Sequence, residues 1–474
     1  MREKFIMINK EDFINSLIGQ LNISNLSIFL GAGFSIDAGL PSWKNLVEPL
    51  VNKYNFNVSS ETDYYKILQY LQNDLGPILL KDNIYEQLSK LPTNMPCFNA
   101  ALELPIDSFW TVNFDDLLER QLEKKFKIRI DPICKDSDLA KVQHDLNKIK
   151  HKVFKMNGTI ADRDSWVLTE SDLEAYVDKN IGMLTFFRRE LVQNTFLVLG
   201  YSFTDTLLLF ALRDVKKYFD NKYIPHHFTI LKKDNENSVK FDWFVNDLEK
   251  RYGIKTLVVE SYNEIPVILN ELTKKIRKKQ VYFSGSFRHI STQEEEFGMD
   301  LSKQLTNKLL DAGYNIYTGM GRRLGDLIAG NACRWIYEHN QILTKRIIIK
   351  PDDFDRYGGK RCGVNPKTKE MRENISQGTG IAIFMYGQSS TDSNGSSGTY
   401  QEFEIAKEKH QYVIPIGVTG YESRRIWKEV KNNITLYGYL EKYIDKLNDN
   451  SLSPDEVSDI VMQIIKEIQQ AKYE

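Results

Sequence analysis

Short apolar runs punctuate the chain. Each is followed by a longer stretch in which apolar residues recur every three or four positions. Leu26–Leu30, Ser108–Val112, Lys152–Met156, Phe196–Gly200, Phe228–Leu231 and Thr256–Val259 have the length and composition of buried parallel strands. Helical patterns lie between them, as at Asp115–Lys124 and Asp205–Lys217. This alternation predicts a parallel sheet covered by helices on both faces. From Ser42 to Leu104 the pattern is mostly helical, which predicts a small helical module or cap. The basic run Lys274-Lys275-Ile276-Arg277-Lys278-Lys279 then reads as a solvated helix end and linker.

A second alternation follows. Val281–Ser286, Asn315–Thr318, Arg346–Lys350, Ile381–Tyr386 and Tyr412–Ile416 read as strands. Helices fit at 294–312, 323–339, 367–377, 399–410 and 453–471. The polar, Gly-rich stretch Asp392–Gly398 is a loop. The expected fold class is therefore α/β. A doubly wound parallel sheet with a helical module occupies residues 1–278, and a smaller Rossmann-like domain occupies 279–474.

Composition narrows the function classes. Lys and Arg total 63 against 64 Asp and Glu, a net charge of −1, so no general pull toward nucleic acid or an anionic membrane is expected. No apolar run approaches the ~20 residues that span a bilayer. The start, Met1-Arg2-Glu3-Lys4-Phe5, lacks the apolar core of a signal peptide. The four cysteines, Cys97, Cys134, Cys333 and Cys362, form no CxxC pair, so no zinc or other metal site is expected. A reducing, cytoplasmic setting follows.

In open sheets of this kind ligands sit at the carboxyl ends of the strands, and glycine turns fall there. Leu26–Leu30 runs into Gly31-Ala32-Gly33, then Phe34, Ser35 and a helix-like segment from about Ser42. Small residues at a strand end let backbone N–H groups approach a phosphate. GxG alone is weak and also describes a tight turn. After the next strand, Asn113 and Asp115 stand two apart. They suit ribose hydroxyls, an ordered water or an amide, and they also suit a helix N-cap. Gly200, Ser202 and Asp205 end a third strand, where Thr204 or Asp205 could equally cap the next helix.

With Gly39, Pro41 and Trp43, the GAGxS stretch resembles the NAD-binding loop of the sirtuin family. Thr111-Val112-Asn113-Phe114-Asp115 is similar to the family's T-Q-N-(I/V)-D segment, with Val112 in place of Gln. Gly200-Tyr201-Ser202-Phe203-Thr204-Asp205 is similar to its G-(F/Y)-S-(F/L)-x-D segment. The resemblance implies that Gly31, Ala32, Gly33, Ser35, Gly200, Ser202 and Asp205 bind NAD(+). It also implies that Asn113 carries its cleavage and that Asp115 holds the nicotinamide amide. Asn157 stands where the family's strand ends in His-Gly, and an amide cannot exchange a proton near neutral pH. His151 lies six residues earlier, about 20 Å away along an extended strand. The near-isosteric exchange reads as an introduced inactivating change or as a natural departure, and preserved size and hydrogen bonding favour the former. Losing a general base removes ~10²–10⁴ of rate, so weakened activity is expected. Deacetylase sirtuins usually carry a four-cysteine zinc module, so the cysteine pattern favours NAD(+) hydrolysis over protein deacylation.

In the second half, Ser284-Gly285-Ser286 ends a strand as a phosphate-facing turn. Gly319, Gly321 and Gly325 mark a similar turn. Asn394–Phe403 resembles the P-G-G-x-G-T-x-x-E motif of lysine-decarboxylase-like, LOG-type nucleotide domains. Asn394 and Ser396 depart from it, which disfavours N-glycosidase activity there. The resemblance implies that Gly398 and Thr399 face a phosphate, that Glu402 reaches a ribose, and that Arg372 binds a phosphate. From the sequence alone Arg372 could equally be a surface helix residue. A sirtuin-like domain joined to such a SLOG domain is the arrangement of the effector NADases of the bacterial Thoeris anti-phage system. That resemblance implies activation by a cyclic ADP-ribose isomer made by a TIR-domain partner protein. It also implies destruction of cellular NAD(+) in abortive infection, and a homotetramer. A catalytically silent NAD or nucleotide sensor is the alternative that Asn157 supports.

Overall fold

The computed structural model describes residues 8–21, 24–56, 61, 63–88, 95–144, 151–203, 206–219, 224–287, 290–350, 372–374, 376–388 and 398–470. It divides into two units, Met1–Leu272 and Thr273–Glu474, with the division inside helix Glu264–Lys278.

In the first unit six apolar runs form one parallel sheet. They are β1 (Asn25–Leu30), β2 (Ile106–Thr111), β3 (Lys152–Lys155), β4 (Asn194–Leu199), β5 (His227–Lys232) and β6 (Ile254–Val259). Their order is β3-β2-β1-β4-β5-β6. The chain winds outward from β1 in one direction, then returns to lay β4 on the other side of β1. That reversal is the topological switch point of a doubly wound sheet. Leu30 pairs with Leu199, so the turns after β1 and β4 leave the sheet side by side. Behind β2 and β3, Trp110 stacks on Phe154 with ring centroids 4.1 Å apart and also meets Phe187.

The helical module forms as expected, with helices Trp43–Lys53, Tyr64–Leu75, Pro77–Leu88 and Pro96–Ala101. Ser42 caps the first of these by accepting from the Asn45 N–H. Leu46, Leu50, Ile67, Leu71, Leu80 and Ile84 form its core, which extends onto Phe114 and Trp166 of the strand-end loops. The module is thus anchored on the edge of the sheet where the chemistry was expected.

The second unit repeats the winding with five strands: β7 (Gln280–Ser286), β8 (Asn315–Thr318), β9 (Ile347–Ile349), β10 (Ile381–Tyr386) and β11 (Tyr412–Pro415). The parallel order is β11-β10-β7-β8-β9, which puts its switch point between β7 and β10. Leu301, Leu305, Leu309, Ile328, Ala332, Ile460 and Ile464 bury their side chains with the sheet.

The structure departs from the sequence expectations at three elements. A helix begins at once after the first glycine, at Ala32–Asp37, ahead of the one at Trp43. Helix Tyr421–Asn432 was not anticipated: Ile426 and Val430 give it a buried stripe, but charged residues dominate its composition. The basic run at 274–279 is no solvated linker. It is helical through Lys278, which is 3% exposed and donates from Nζ to the Ile468 carbonyl at 2.6 Å.

Candidate functional site

At the first switch point the glycines serve backbone contact. The Gly31 N–H bonds the Leu199 carbonyl at 2.9 Å and the Gly33 N–H bonds the Gly200 carbonyl at 2.8 Å. A Cβ on Gly31 would lie 2.5 Å from the Gly200 oxygen, and one on Gly200 would lie 2.4 Å from the Phe34 nitrogen. Gly200 also has φ +63°, which L side chains resist. The two turns interlock, and only residues without side chains permit it.

Asn113 and Asp115 follow β2 on this same edge. The Asn113 amide nitrogen donates to the Gly31 carbonyl at 3.0 Å and to Ser35 Oγ at 2.9 Å. Ser35 Oγ in turn donates to Asp115 Oδ2 at 2.7 Å. Ser35 is 5% exposed and Asp115 7%. Both amide hydrogens of Asn113 are committed, which leaves its side-chain oxygen as the group for a ligand. Ser35, expected at the dinucleotide, also bridges the two residues expected at the nicotinamide end. Asp115 Oδ1 accepts from the Leu117 N–H at 3.2 Å, at the start of the next helix, but the N-cap of that helix is Asp116 and neither Asn113 nor Asp115. Thr111, which the motif contains but no role was given, bonds from Oγ1 to the Leu30 carbonyl and accepts the Asn113 N–H.

Ala32, Ser35, Pro41, Trp43, Asn113 and Asp115 line one cleft between the sheet edge and the helical module. The cleft is half open to solvent, with about 40 Å³ of room, enough for a few waters. Ser202 lies exposed on the β4 side. Asp205 and Thr204 lie outside the described residues.

Asn157 lies two residues past the end of β3. It is 1% exposed, its amide nitrogen is 3.5 Å from the Tyr65 hydroxyl, and its Oδ1 has no partner among the described residues. The Tyr65 ring packs against Trp43 of the cleft at 5.6 Å. A buried acceptor left open is costly and is found where a ligand or water completes it. Gly158 follows at φ +94°, where a Cβ would strike the Ser165 carbonyl at 2.3 Å.

Sequence reasoning passed over Lys155. It is fully buried, and its Nζ donates to the carbonyls of Phe114 and Asp115 and to Glu119 Oε1, the last at 2.8 Å. Burial pushes the Glu119 carboxyl up from its ordinary value, and Lys155 partly opposes that. A lysine inside an apolar run, Val153-Phe154-Lys155-Met156, was the available signal.

The second switch point is also interlocked. Gly285, at φ +150°, would drive a Cβ to 1.8 Å from the Met385 carbonyl, and Gly321 would reach the Gly285 carbonyl at 2.1 Å. The N–H groups of Gly387 and Gln388 both bond the Ser286 carbonyl. Arg372 is 8% exposed, so the surface reading fails for it. Its guanidinium bonds Gln401 and lies 3.6 Å from Glu402, which accepts from Ser284 Oγ. Thr399 is buried beside Gly387, and a Cβ on Gly398 would lie 2.9 Å from Arg372 Nη2. Ser284, Arg372 and Glu402 thus meet in one network. Asn394 and Ser396 lie outside the described residues, as does Cys362. Among the described residues no three His, Cys, Asp or Glu side chains converge as metal ligands. Among them, too, no helix is long and apolar enough to cross a membrane.

Two family models match the chain: the SIR2-like domain over residues 107–257, and the Sir2- and TIR-associating SLOG family over 264–468. Fold and sites therefore define a SIR2-like unit followed by a SLOG unit. The chain is 29% identical to the NAD(+) hydrolase ThsA of Bacillus cereus (strain MSX-D12), with 96% of this chain and 98% of the relative aligned. It is 27% identical to that of Acinetobacter baumannii (strain 532279), again over 96% and 98%. For the Enterococcus faecium protein of the same name the figures are 28%, 91% and 92%. The chain is thus similar to these NAD(+) hydrolases along nearly all of its length.

Proposed function

We propose that the chain is an NAD(+) hydrolase that a nucleotide bound at the second switch point turns on. The Asn113–Ser35–Asp115 relay carries the reading, because it fixes one amide and one carboxylate side by side at the switch point of the first sheet. In the reaction a water oxygen bonds to ribose C1′ while the C1′–N1 bond to nicotinamide breaks. Its electron pair stays on the ring nitrogen and discharges the pyridinium, and a water proton passes to solvent. Asn113 orients the ribose or the water through its free carbonyl oxygen, and Asp115 holds the leaving carboxamide. Gly31, Ala32, Gly33, Gly200, Ser202 and Asp205 take the rest of the dinucleotide. Asn157 can accept a hydrogen bond there but cannot take a proton. That weakens the enzyme.

Gating acts on this cleft, which a shift of Trp43 or the module behind it widens for a dinucleotide. The effector is a cyclic ADP-ribose isomer. Arg372 and the turn at Ser284-Gly285-Ser286 receive its phosphates, with Gly398 and Thr399, and Glu402 receives a ribose. A TIR-domain partner protein supplies it, and the description of the matched SLOG family supports that pairing. The outcome is loss of cellular NAD(+) during phage infection, carried out in the cytoplasm by a homotetramer. Moving such a switch from 1:99 to 99:1 takes about 5.5 kcal/mol of differential binding. The residues 1–278 and 279–474 divide these two roles.

The test is nicotinamide release from NAD(+) by this chain and by Asn157→His, with and without cyclic ADP-ribose isomers. Release by both, faster by ~10²–10⁴ with histidine and dependent on one isomer, is the expected result. Binding of NAD(+) without release by either form would instead establish the silent sensor that the amide at position 157 favours.

A further inference from the structure

We propose that Lys155 is a positioning residue for NAD(+) cleavage, tethering the Asn113–Asp115 segment to the strand end that carries Asn157. The inference rests on the hydrolase reading above. Lys155 is the last residue of β3 and is 0% exposed. A buried ammonium is tolerated only when all its protons are paired. Here each has an acceptor: the Phe114 carbonyl at 3.2 Å, the Asp115 carbonyl, and Glu119 Oε1 at 2.8 Å. Two of the three are backbone groups of the loop that bears the reacting side chains.

That loop is held from both sides. Its side chains are fastened to Gly31 and Ser35 by Asn113 and Asp115, and its backbone is fastened to β3 by Lys155. The Phe114 carbonyl also accepts from the Ile160 N–H at 2.7 Å, beyond the turn that contains Asn157. Core packing alone would be met by methionine or leucine at position 155. A charge there is explained by carbonyls that need a donor. Glu119 completes the ammonium's shell, but its second oxygen has no partner among the described residues. It acts as counter-charge rather than as part of the tether. Removing the lysine frees the Asn113 and Asp115 backbone by a fraction of an ångström, and errors of about 1 Å in a catalytic group cost up to ~10²-fold in rate.

The test compares Lys155→Met with Glu119→Gln in one chain, so that no lone charge stays buried, against Glu119→Gln alone. Each is made in the full chain and in the Asn157→His form. Nicotinamide release and amide hydrogen exchange of the 113–117 segment are followed. The double variant is expected to lose ~10–10²-fold in kcat with KM changed less than about threefold, and to exchange faster at 113–117 but not in β1 or β4. Glu119→Gln keeps an acceptor for Nζ and should hold kcat within about threefold. Retained kcat in the double variant, or equal loss in Glu119→Gln, overturns the proposal. Should the double variant not fold, Lys155→Gln combined with Glu119→Gln, which can still donate to one carbonyl, should show an intermediate loss, and an unchanged kcat there overturns the proposal as well. If neither parent form releases nicotinamide, the hydrolase reading falls by itself. The exchange measurement then decides the tether: faster exchange at 113–117 sustains it and unchanged exchange removes it.

Discussion

One hydroxyl organises the first site. Ser35 accepts from Asn113 and donates to Asp115 while almost wholly buried. Ser35→Ala leaves an amide proton and a carboxylate oxygen without partners, which costs about 1–3 kcal/mol of stability. Urea unfolding should show that loss, and kcat should fall more than KM rises, because the proposed function sets these groups at the reacting end of the substrate. The serine was legible as part of a GAGxS motif, but its role was not. A motif says which residues are near a ligand and not which of them hold the others. The same limit hid Lys155, whose partners are backbone carbonyls of residues about forty positions away and therefore invisible to side-chain pattern.

At the scale of strands and helices the sequence was most informative where burial is complete. β4 and β10 are buried at every position, so their apolar runs stand out against polar flanks. The helix at Tyr421–Asn432 escaped notice because its buried stripe, Ser423, Ile426 and Val430, holds only two apolar residues among many charged ones. Helix Ala32–Asp37 escaped because glycine and serine favour turns and caps, and the interlocking with Gly200 overrides that preference. The strand β5 carries a pH-sensitive element that sequence could not show. His227 is fully buried, and its Nδ1 accepts from the Phe196 N–H at 3.2 Å. Burial, with the nearby His226, lowers its pKa from 6.5 to about 3. Below pH 6.5 the unfolded ring takes a proton that the folded ring refuses. Stability is therefore present above pH 6.5 and falls by up to about 1.4 kcal/mol per pH unit toward pH 3. Thermal unfolding of His227→Gln should show a shallower acid limb between pH 6.5 and 4 than the unsubstituted chain.

Across the whole molecule, two sheets obey one winding rule, and each places its glycine turns at its own switch point. The alternation of strand and helix made that architecture readable, and the rule for ligands at strand ends pointed to the two glycine turns as candidates. What the sequence left open was burial. Arg372 could have been a surface residue, and it lies instead in a network with Gln401, Glu402 and Ser284. Arg372→Lys keeps a charge for Glu402 but loses the planar fork that suits a phosphate. The half-activating concentration of a cyclic ADP-ribose isomer, read from nicotinamide release, should rise ~10-fold or more, in keeping with loss of a strong charge-assisted bond.

The helix Glu264–Lys278 ends against the last helix of the chain, Pro454–Gln470. Lys278 Nζ bonds the Ile468 carbonyl, and Gln469 returns a bond to the Lys278 carbonyl at 3.0 Å. The chain's tail is thus stitched to the segment in which one unit gives way to the next. For anyone engineering the protein, a cut before Ile468 undoes both stitches at once.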